Sequence, residues 1–211
     1  MAMINQPATD LTKARYDRLA PLYDRLESLM ERRARAWRKR LWDRVEPGKI
    51  LDAGVGTGKN IPYYPAGAQV FGVDLSSAML DQARQRGQRD HVEVKLREMD
   101  VQSLEFPDDS FDTAVATFVF CSVPDPILGL QELARVVKPR GKILLLEHVR
   151  LESPLLGRIM DLVNPWIVRM LGANINRQTV DNVRRAGLLV EGVEDMTTNG
   201  LVKLIMARSN L

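Results

Sequence analysis

Lys49-Ile-Leu-Asp-Ala-Gly-Val-Gly-Thr-Gly58 is the stretch that decides the fold. It begins as a predicted buried strand near Ile50–Ala53 and runs into a turn with three glycines: Gly54, Gly56 and Gly58. Glycine is needed where the backbone turns sharply or touches a ligand, because a Cβ would collide there. A second predicted strand, Gln69-Val-Phe-Gly-Val-Asp74, ends in a carboxylate, where doubly wound folds hold ribose hydroxyls. Together the two features predict a nucleoside-containing cofactor.

Predicted strands and helices alternate along the rest of the chain. Strand three is predicted near Val92–Leu96, strand four at Phe111–Phe120 and strand five at Lys142–His148, with closing strands at Gly187–Met196 and Gly200–Ala207. Such alternation predicts an α/β fold with a doubly wound, mostly parallel sheet and helices on both faces. Ligands of these sheets bind at the carboxyl ends of the strands.

Acidic residues at three predicted strand ends accompany the glycine turn. Asp52 precedes the G-x-G-x-G pattern, Asp74 ends the second strand, and a third acid lies in Met99-Asp100-Val101. This constellation resembles the class I S-adenosylmethionine methyltransferases, which have a Rossmann-like seven-stranded sheet ending in an antiparallel pair. An NAD site fits the spacing worse, since it requires G-x-G-x-x-G. An ordinary α/β turn, with glycines for tight packing, is the other alternative.

The resemblance implies the residues that contact the cofactor. The glycine loop would pass under the methionine portion, Asp74 would hold the ribose, Asp100 would accept from the adenine amino group, and the Val101 amide would donate to the ring. The full predicted set is Asp52, Gly54, Gly56, Gly58, Asn60, Asp74, Leu75, Asp100, Val101, Thr117 and Phe118.

Less specific motifs point to the methyl acceptor. Arg135-Val-Val-Lys-Pro-Arg-Gly141 is typical of the branch that includes the ubiquinone/menaquinone C-methyltransferases, but Phe118–Asp125 departs from that branch. Leu145-Leu-Glu-His-Val149, Asn174-Ile-Asn-Arg177 and Tyr16–Asp24 are more similar to bacterial phosphatidylethanolamine N-methyltransferases. The resemblance implies successive N-methylation of phosphatidylethanolamine. A quinone C-methyltransferase, an RNA methyltransferase and a non-enzymatic cofactor-binding scaffold are the alternatives.

Four residues are candidates for roles toward the substrate. His148 is a candidate general base, since its free pKa lies near the working pH; a hydrogen-bonded strand-end histidine is the alternative. Tyr16 and Tyr23 would close the N-terminal helices over the cofactor and offer π faces to a methylated ammonium, unless they only pack in the core. Arg177, at the start of a helix predicted over Asn174–Ala186, would hold a lipid phosphate. A surface arginine is the commoner case. No metal site is predicted.

The whole chain has 211 residues, enough for one α/β domain, and a single cysteine, which suits a reducing compartment. We divide it into residues 1–46, amphipathic helices that form a cap and membrane contact, and residues 47–211, the cofactor-binding domain. Leu11–Val45 holds eleven Lys/Arg and five Asp/Glu, a net charge of +6, which predicts an anionic partner. We expect a cytoplasmic protein attached peripherally to the inner face of the membrane, with no nucleic acid and no obligate protein partner.

Two apolar segments support the membrane hypothesis. Pro21 is predicted to open a helix after a shorter one over Asp10–Leu19. Its apolar stripe is Leu19, Leu22, Tyr23, Leu26, Met30, Trp37 and Leu41, and its basic face is Arg32, Arg33, Arg35, Arg38, Lys39 and Arg40. With Trp37 and Trp42 it describes an interfacial helix, unless the stripe packs on the domain. The apolar insertion Pro154–Ala173 is predicted to cover the acyl chains of a bound lipid.

Overall fold

The computed structural model describes residues 4–26 and 28–209. The helices are α1 (Gln6–Leu26), α2 (Ser28–Trp42), α3 (Ser77–Asp90), α4 (Pro126–Val136), α5 (Pro154–Leu171) and α6 (Thr179–Arg185). The strands are β1 (Lys49–Ala53), β2 (Gln69–Asp74), β3 (Lys95–Glu98), β4 (Phe111–Thr117), β5 (Val137–His148), β6 (Leu189–Asp195) and β7 (Val202–Arg208). The Leu26 side chain, part of the predicted apolar stripe, lies outside the part of the chain that the structure describes. The same holds for residues 1–3 and 210–211, at the outer ends of the two predicted domains.

The strands form one seven-stranded sheet in the order β3-β2-β1-β4-β5-β7-β6. All neighbouring pairs are parallel except those of β7, which runs antiparallel to β5 and β6. The predicted Rossmann-like architecture is therefore confirmed. Because β1 lies between β2 and β4, the strand order reverses beside its carboxyl end, which is where such sheets bind ligands.

Two apolar layers pack on the two faces of the sheet. On one face, the rings of Phe71, Phe106 and Phe111 meet edge to face, with centroids 4.9–5.8 Å apart. On the other face, α2 contributes Leu41 and Trp42, and the Trp42 ring lies 4.8 Å from that of Tyr64. Trp42 is 3% exposed. The end of the α2 stripe that carries Leu41 and Trp42 thus packs on the domain, whereas Met30 at its beginning is 53% exposed, and the prediction that the tryptophans of α2 face a membrane is wrong for Trp42.

Helix α1 is continuous through Pro21, so the prediction of a helix start there is wrong. Proline removes one backbone hydrogen bond from a helix interior, a loss that tertiary contacts must offset. Here α3 and the residue before it bind α1 on both sides of Pro21. Ser76 Oγ donates to Asp17 at 2.6 Å, and Arg86 forms an ion pair with Asp24. Helix α1 ends at Leu26, and α2 begins at Ser28.

Strand four and the helix after the insertion are shorter than predicted. β4 ends at Thr117 rather than Phe120, because Phe118 has φ +59° and turns the backbone out of the sheet. The helix predicted from Asn174 begins only at Thr179. The backbone amides of Asn174 and Ile175 instead donate to Cys121 O at 2.8 Å and to Asn164 Oδ1 at 2.9 Å. These tertiary bonds keep the segment out of the helix, and Ile175 and Asn176 form a turn.

Helix α5 turns its apolar side outward. Its inner face carries three residues of different kinds: Gly157 lies against Arg150, Met160 is buried, and Asn164 bonds to the segment before α6. The exposed side, here called the α5 apolar face, consists of Leu155, Leu156, Ile159, Leu162, Val163, Trp166 and Met170. These side chains do not cover a cleft, in contrast to the prediction. None of the described helices is both long enough and apolar enough to cross a bilayer.

Candidate active site

A cleft lies at the carboxyl ends of β1, β2 and β4, with α1 across its mouth. Its empty space, including the opening, is about 880 Å³. The structure brings ten of the predicted site residues to its walls: Tyr16, Tyr23, Gly54, Gly56, Asp74, Leu75, Asp100, Val101, Thr117 and Phe118. The agreement follows from the sheet order, because the ends of β1, β2 and β4 lie side by side at this edge.

The glycine loop forms the floor of the cleft. Gly54 and Gly56 have φ +70° and +55°, conformations that a side chain disfavours. A Cβ on Gly54 would lie 2.7 Å from Cγ1 of Val119 and closer still to Cγ2, whereas a Cβ on Gly56 would meet no atom within 4 Å. Gly54 therefore lets the post-β4 segment approach β1, while Gly56 leaves room for a ligand.

Asp74 is the carboxylate at the end of β2 and faces the cleft. Its two oxygens accept from the amides of Gly56 and Ser76, each at 2.9 Å. Burial raises the pKa of Asp74 to about 6, against the opposing effect of these backbone hydrogen bonds. The bonds fix the carboxyl group beside the glycine loop, the position predicted for a ribose contact.

Asp100 lies two residues beyond the end of β3, on the adjoining wall. Its carboxylate accepts from the Gln102 side chain at 2.9 Å and from Thr9 Oγ1 of α1 at 3.2 Å. Its place beside Val101 matches the predicted adenine contact. The bond to Thr9 also ties the beginning of α1 to this wall.

Three predicted cofactor residues lie beneath the cleft instead of lining it. Asp52 is fully buried and accepts from Asn60 Nδ2 at 3.0 Å and from the Tyr64 hydroxyl at 2.7 Å. Burial raises the pKa of Asp52 to about 6. Gly58 packs against Ala83 of α3. The geometry gives these residues a role in holding the loop, so the prediction of direct cofactor contact is not supported for Asp52, Asn60 and Gly58.

The sequence pattern places Arg38 on a basic surface, but the structure places it in the cleft. It is 5% exposed, lines the cleft, and donates from Nη1 to Asn60 Oδ1 at 2.8 Å and to Thr117 Oγ1 at 2.7 Å. Its guanidinium carbon also lies 5.5 Å from the centre of the Phe118 ring. The sequence contains a signal of this burial, because Arg38 shares a helical face with the apolar residues Ala34 and Leu41, at i−4 and i+3.

His148 does not reach the cleft directly. It ends β5, and its ring packs on Phe118 with centroids 4.6 Å apart and planes at 32°. Phe118 lines the cleft, whereas His148 is not among the lining residues. A general base must come within hydrogen-bond reach of the proton it takes. The geometry therefore does not support His148 as the base, and it supports a role in positioning Phe118.

The two predicted tyrosines meet at the cleft, as α1 lies over it. Their ring centroids are 6.2 Å apart, and the Tyr16 hydroxyl shares a 2.5 Å hydrogen bond with Ser122. Lys59 Nζ lies 5.0 Å from the centre of the Tyr23 ring. Aromatic faces and hydroxyl groups thus line the wall opposite the glycine loop.

A second cavity, with about 1010 Å³ of empty space including its opening, adjoins this cleft, between α1 and α5. The two spaces share Thr12, Ser122 and Val123 in their walls. Arg15 and Arg177 also line the second cavity. Arg177 lies before α6 rather than in its first turn, so the predicted helix N-terminus does not assist it. Its Nη2 donates to Val123 O at 2.8 Å, and its buried Nε has no hydrogen-bond partner among the described residues.

Two buried acidic groups lie behind these cavities. Glu147 Oε1 accepts from the amides of Val119 and Phe120 at 2.8 and 3.0 Å, and burial raises the pKa of Glu147 to about 7. Burial likewise raises the pKa of the Cys121 thiol to about 12, which makes it an inert thiol. Within residues 4–26 and 28–209, no group of His, Cys, Asp and Glu side chains could hold a metal ion.

The cleft fits the cofactor that the resemblance implies. Gly56 leaves open space at the floor, and the carboxylates of Asp74 and Asp100 lie on neighbouring walls, where hydroxyl and amino groups can donate to them. The α1 helix closes the space through Lys13, which donates to Leu75 O at 3.1 Å, and through Asp24, which accepts from Thr57 Oγ1 at 2.7 Å. The individual cofactor contacts stay predictions.

Similarity to known proteins also indicates a methyltransferase that uses S-adenosylmethionine. A family model described as a methyltransferase domain matches residues 51–145. A phosphatidylethanolamine N-methyltransferase of Cereibacter sphaeroides is 40% identical over 103 residues, which cover 48% of this chain and 51% of that relative. The matched segment thus spans about half the length of that protein.

Other relatives match over more of the chain. A demethylmenaquinone methyltransferase of Thermus thermophilus is 31% identical over 199 residues, which cover 91% of this chain and 89% of the relative. The crystal structure of a Thermotoga maritima methyltransferase, described as a possible histamine N-methyltransferase, has a TM-score of 0.69 and 25% identity over 93% of this chain and 99% of that one. The chain therefore belongs to the S-adenosylmethionine-dependent methyltransferases, and S-adenosylmethionine is its methyl donor.

Proposed function

We propose that the chain is an N-methyltransferase that converts phosphatidylethanolamine to its methylated forms and to phosphatidylcholine at a membrane surface. One observation carries the proposal: aromatic rings line the cofactor cleft, and two arginines line the cavity that adjoins it. Such a pair of sites suits a zwitterionic headgroup, whose ammonium and phosphate are joined by an ethylene bridge. The similarity to the Cereibacter sphaeroides enzyme supports the same acceptor.

At the cofactor end, bound S-adenosylmethionine would supply a methyl group on a sulfonium, and a nucleophile that attacks this methyl carbon in line would displace the thioether sulfur. Asp74 and Asp100 would hold its ribose and adenine, with Leu75 and Val101 beside them, and Gly56 would leave room for the methionine portion. Thr117 and Phe118 line the wall at the end of β4. Since α1 lies across the mouth, it would exclude water from the reacting atoms.

At the amine end, Tyr16 and Tyr23 would receive the substrate nitrogen. There the amine would lose a proton to water, and its lone pair would form the new N–C bond while the C–S electron pair stays on sulfur, which would leave a methylated ammonium and a neutral thioether. Tyr16 O–H, paired with Ser122, can accept a hydrogen bond from the amine before it reacts. Aromatic faces stabilise a methylated ammonium by about 0.5–2 kcal/mol, so the same site would retain the mono- and dimethylated intermediates.

At the phosphate end, Arg177 and Arg15 would bind the phosphodiester. Arg177 presents a buried Nε without a hydrogen-bond partner among the described residues, a donor that an acceptor in the second cavity could satisfy. Arg15 is half-buried and forms no ion pair with any residue that the structure describes. Arginine binds phosphate oxygens through two parallel N–H groups, which suits this role.

The basic segment of α2 would draw the protein to an anionic membrane on the cytoplasmic side. Arg38 is unavailable for this contact, and Lys39 and Arg40 form ion pairs with Asp43 and Glu194 at 2.8 and 2.9 Å. Arg32, Arg33 and Arg35 are exposed and form no ion pair within the described part of the chain. Basic residues near an anionic surface contribute roughly 1 kcal/mol each.

Methyl transfer from labelled S-adenosylmethionine tests the proposal. Phosphatidylethanolamine dispersed in neutral detergent micelles should acquire label in products that migrate as its mono-, di- and trimethylated forms. Arg177→Gln should raise the KM for the lipid more than it lowers kcat, because the phosphate contact is made before and during the reaction. Label that enters only a demethylated quinone, with none in phosphatidylethanolamine, rules the proposal out.

A quinone C-methyltransferase is the second candidate. It is supported by the Thermus thermophilus demethylmenaquinone methyltransferase, which matches 91% of this chain against 48% for the phosphatidylethanolamine enzyme. A quinone lacks a phosphate, so this activity would be indifferent to Arg177→Gln. The two acceptors, offered separately in the same micelles, therefore separate the candidates by product and by the response to that substitution.

A further inference from the structure

Helix α5 has the inverse of the usual arrangement for a helix on a globular domain. Surface helices normally bury their apolar stripe and expose polar residues. Here Gly157, Met160 and Asn164 face the domain, while Leu162, Trp166 and Met170 are 77%, 71% and 76% exposed. A contiguous apolar surface of this kind marks a site of interaction.

We infer that the α5 apolar face inserts into the interfacial layer of an anionic lipid membrane and is the main attachment of the protein to it. The inference deepens the proposed function and rests on it in one respect, that the acceptor is a membrane lipid. It moves the apolar part of the membrane contact from α2, where the sequence pattern indicated it, to α5.

The charges beside the face favour lipid as its occupant. Arg158 and Arg169 are exposed on the helix and form no ion pair among the residues described. The one acidic residue of α5, Asp161, is held by Arg150 at 2.8 Å, away from the apolar face. Apolar residues with a tryptophan, flanked by arginines, are typical of helices that lie in the plane of a membrane interface.

A second copy of the chain fits this face less well. A helix of 18 residues is about 27 Å long, so one apolar strip about 10 Å wide offers on the order of 300 Å² to a partner. A stable interface buries about 800 Å² on each side. The equal charges of Arg158 and Arg169 would also come together across such a contact.

The position of α5 relative to the cavities gives the contact a use. Val168 of α5 and Gly172, the residue after the helix, form one side of the second cavity, and Leu11 of α1, which is 53% exposed, lies on the other side. With the apolar face in the lipid, this cavity would lie behind α5, about one helix diameter or roughly 10 Å from the membrane surface. A headgroup could then move toward the cofactor cleft while its acyl chains stayed in the bilayer.

Flotation with vesicles of equal parts phosphatidylglycerol and phosphatidylethanolamine tests the inference. Leu162→Glu/Trp166→Glu should reduce the bound fraction at least tenfold, since both side chains are exposed and their replacement leaves the core intact. Leu189→Glu/Val193→Glu is the matched control on β6, where the side chains are 52% and 38% exposed, and it should bind within twofold of wild type. Binding of the α5 variant at the wild-type level overturns the inference.

Brominated lipids provide a second measurement. They should quench the fluorescence of the bound wild type, and Trp166→Phe should lose most of that quenching because Trp42 is buried and Trp37 half-buried. A lipid-free dimer that Leu162→Glu/Trp166→Glu dissociates would assign the face to a second copy and refute the inference.

The detergent assay distinguishes failure of this inference from failure of the proposed function. If flotation depends on the α5 apolar face but detergent-dispersed phosphatidylethanolamine is not methylated, only the proposed function is refuted. If the lipid is methylated but the α5 variant floats like the wild type, only the membrane inference is refuted.

Discussion

Alanine at Gly54 and at Gly56 should separate the packing role of the glycine loop from its binding role. Both residues have positive φ, so each substitution costs about 1–2 kcal/mol of backbone strain. At Gly54 the new methyl group also overlaps Val119, and overpacking of this kind costs about 1–3 kcal/mol more. We therefore expect Gly54→Ala to lower the free energy of unfolding by about 2–5 kcal/mol and Gly56→Ala by about 1–2 kcal/mol.

Urea unfolding at 25 °C measures these differences, and Val119→Ala identifies their source. In Gly54→Ala/Val119→Ala the overlap is relieved, so the double variant should be more stable than the sum of its single variants implies, by about 1–3 kcal/mol. Gly56→Ala/Val119→Ala is the control. Its effects should add within about 0.5 kcal/mol, because the Gly56 methyl group would meet no atom within 4 Å.

Cofactor binding should show the opposite order. The methyl group of Gly56→Ala projects into the cleft and should raise the Kd for S-adenosylmethionine at least tenfold in calorimetry, although its effect on stability is the smaller of the two. Equal destabilisation by Gly54→Ala and Gly56→Ala, or additivity of Gly54→Ala with Val119→Ala, would refute the assignment of these roles.

Three further predictions concern single charged groups. Asp74→Ala should raise the Kd for S-adenosylmethionine about 10- to 100-fold, because a hydrogen bond to a charged group is worth about 1.5–3 kcal/mol, and an unchanged Kd in calorimetry contradicts the ribose contact. Burial raises the folded-state pKa of Glu147 from 4.5 to about 7. The protonated Glu147 carboxyl therefore contributes stability that is fully present below pH 4.5 and is lost as the pH rises through about 7. The free energy of unfolding falls by about 3 kcal/mol at most. Urea unfolding between pH 5 and 8 should thus show a shallower decline for Glu147→Gln, and an identical slope argues against the buried carboxyl. Arg38→Ala should lower the free energy of unfolding by about 3 kcal/mol, whereas exposed Arg35→Ala changes it by less than about 0.5 kcal/mol, and equal effects would return Arg38 to the surface.

Much of the fold could be predicted because its determinants are local. The glycines at positive φ, the N-cap at Ser76, whose Oγ accepts from Met79 N at 3.2 Å, and the apolar strands each specify a short segment. Their alternation then leaves few topologies for the sheet. The carboxyl ends of β1, β2 and β3 lie side by side for the same reason, which is why Asp74 and Asp100, predicted at strand ends, both line the cleft.

The errors in the candidate site concern residues whose position depends on distant contacts. Arg38 looks like one member of a basic run, but Asn60 and Thr117 hold it in the interior. The sequence predicts Arg177 in the first turn of a helix, but Cys121 O accepts from the amide of Asn174 and the helix begins only at Thr179. His148 ends its strand as predicted, and Phe118 separates it from the cleft.

By itself, the sequence determined the sheet and the glycine loop, since backbone conformation and the two-residue and 3.6-residue periodicities are encoded in neighbouring residues. The methyl donor followed from the resemblance of the glycine loop and the acidic strand ends to those of the class I S-adenosylmethionine methyltransferases. Only the tertiary structure decided which faces of the helices stay exposed. Helices α2 and α5 are both amphipathic. Leu41 and Trp42 of α2 pack against the sheet, whereas the α5 apolar face points outward. Periodicity defines an apolar face, but the direction of that face depends on the packing of elements far apart in the chain.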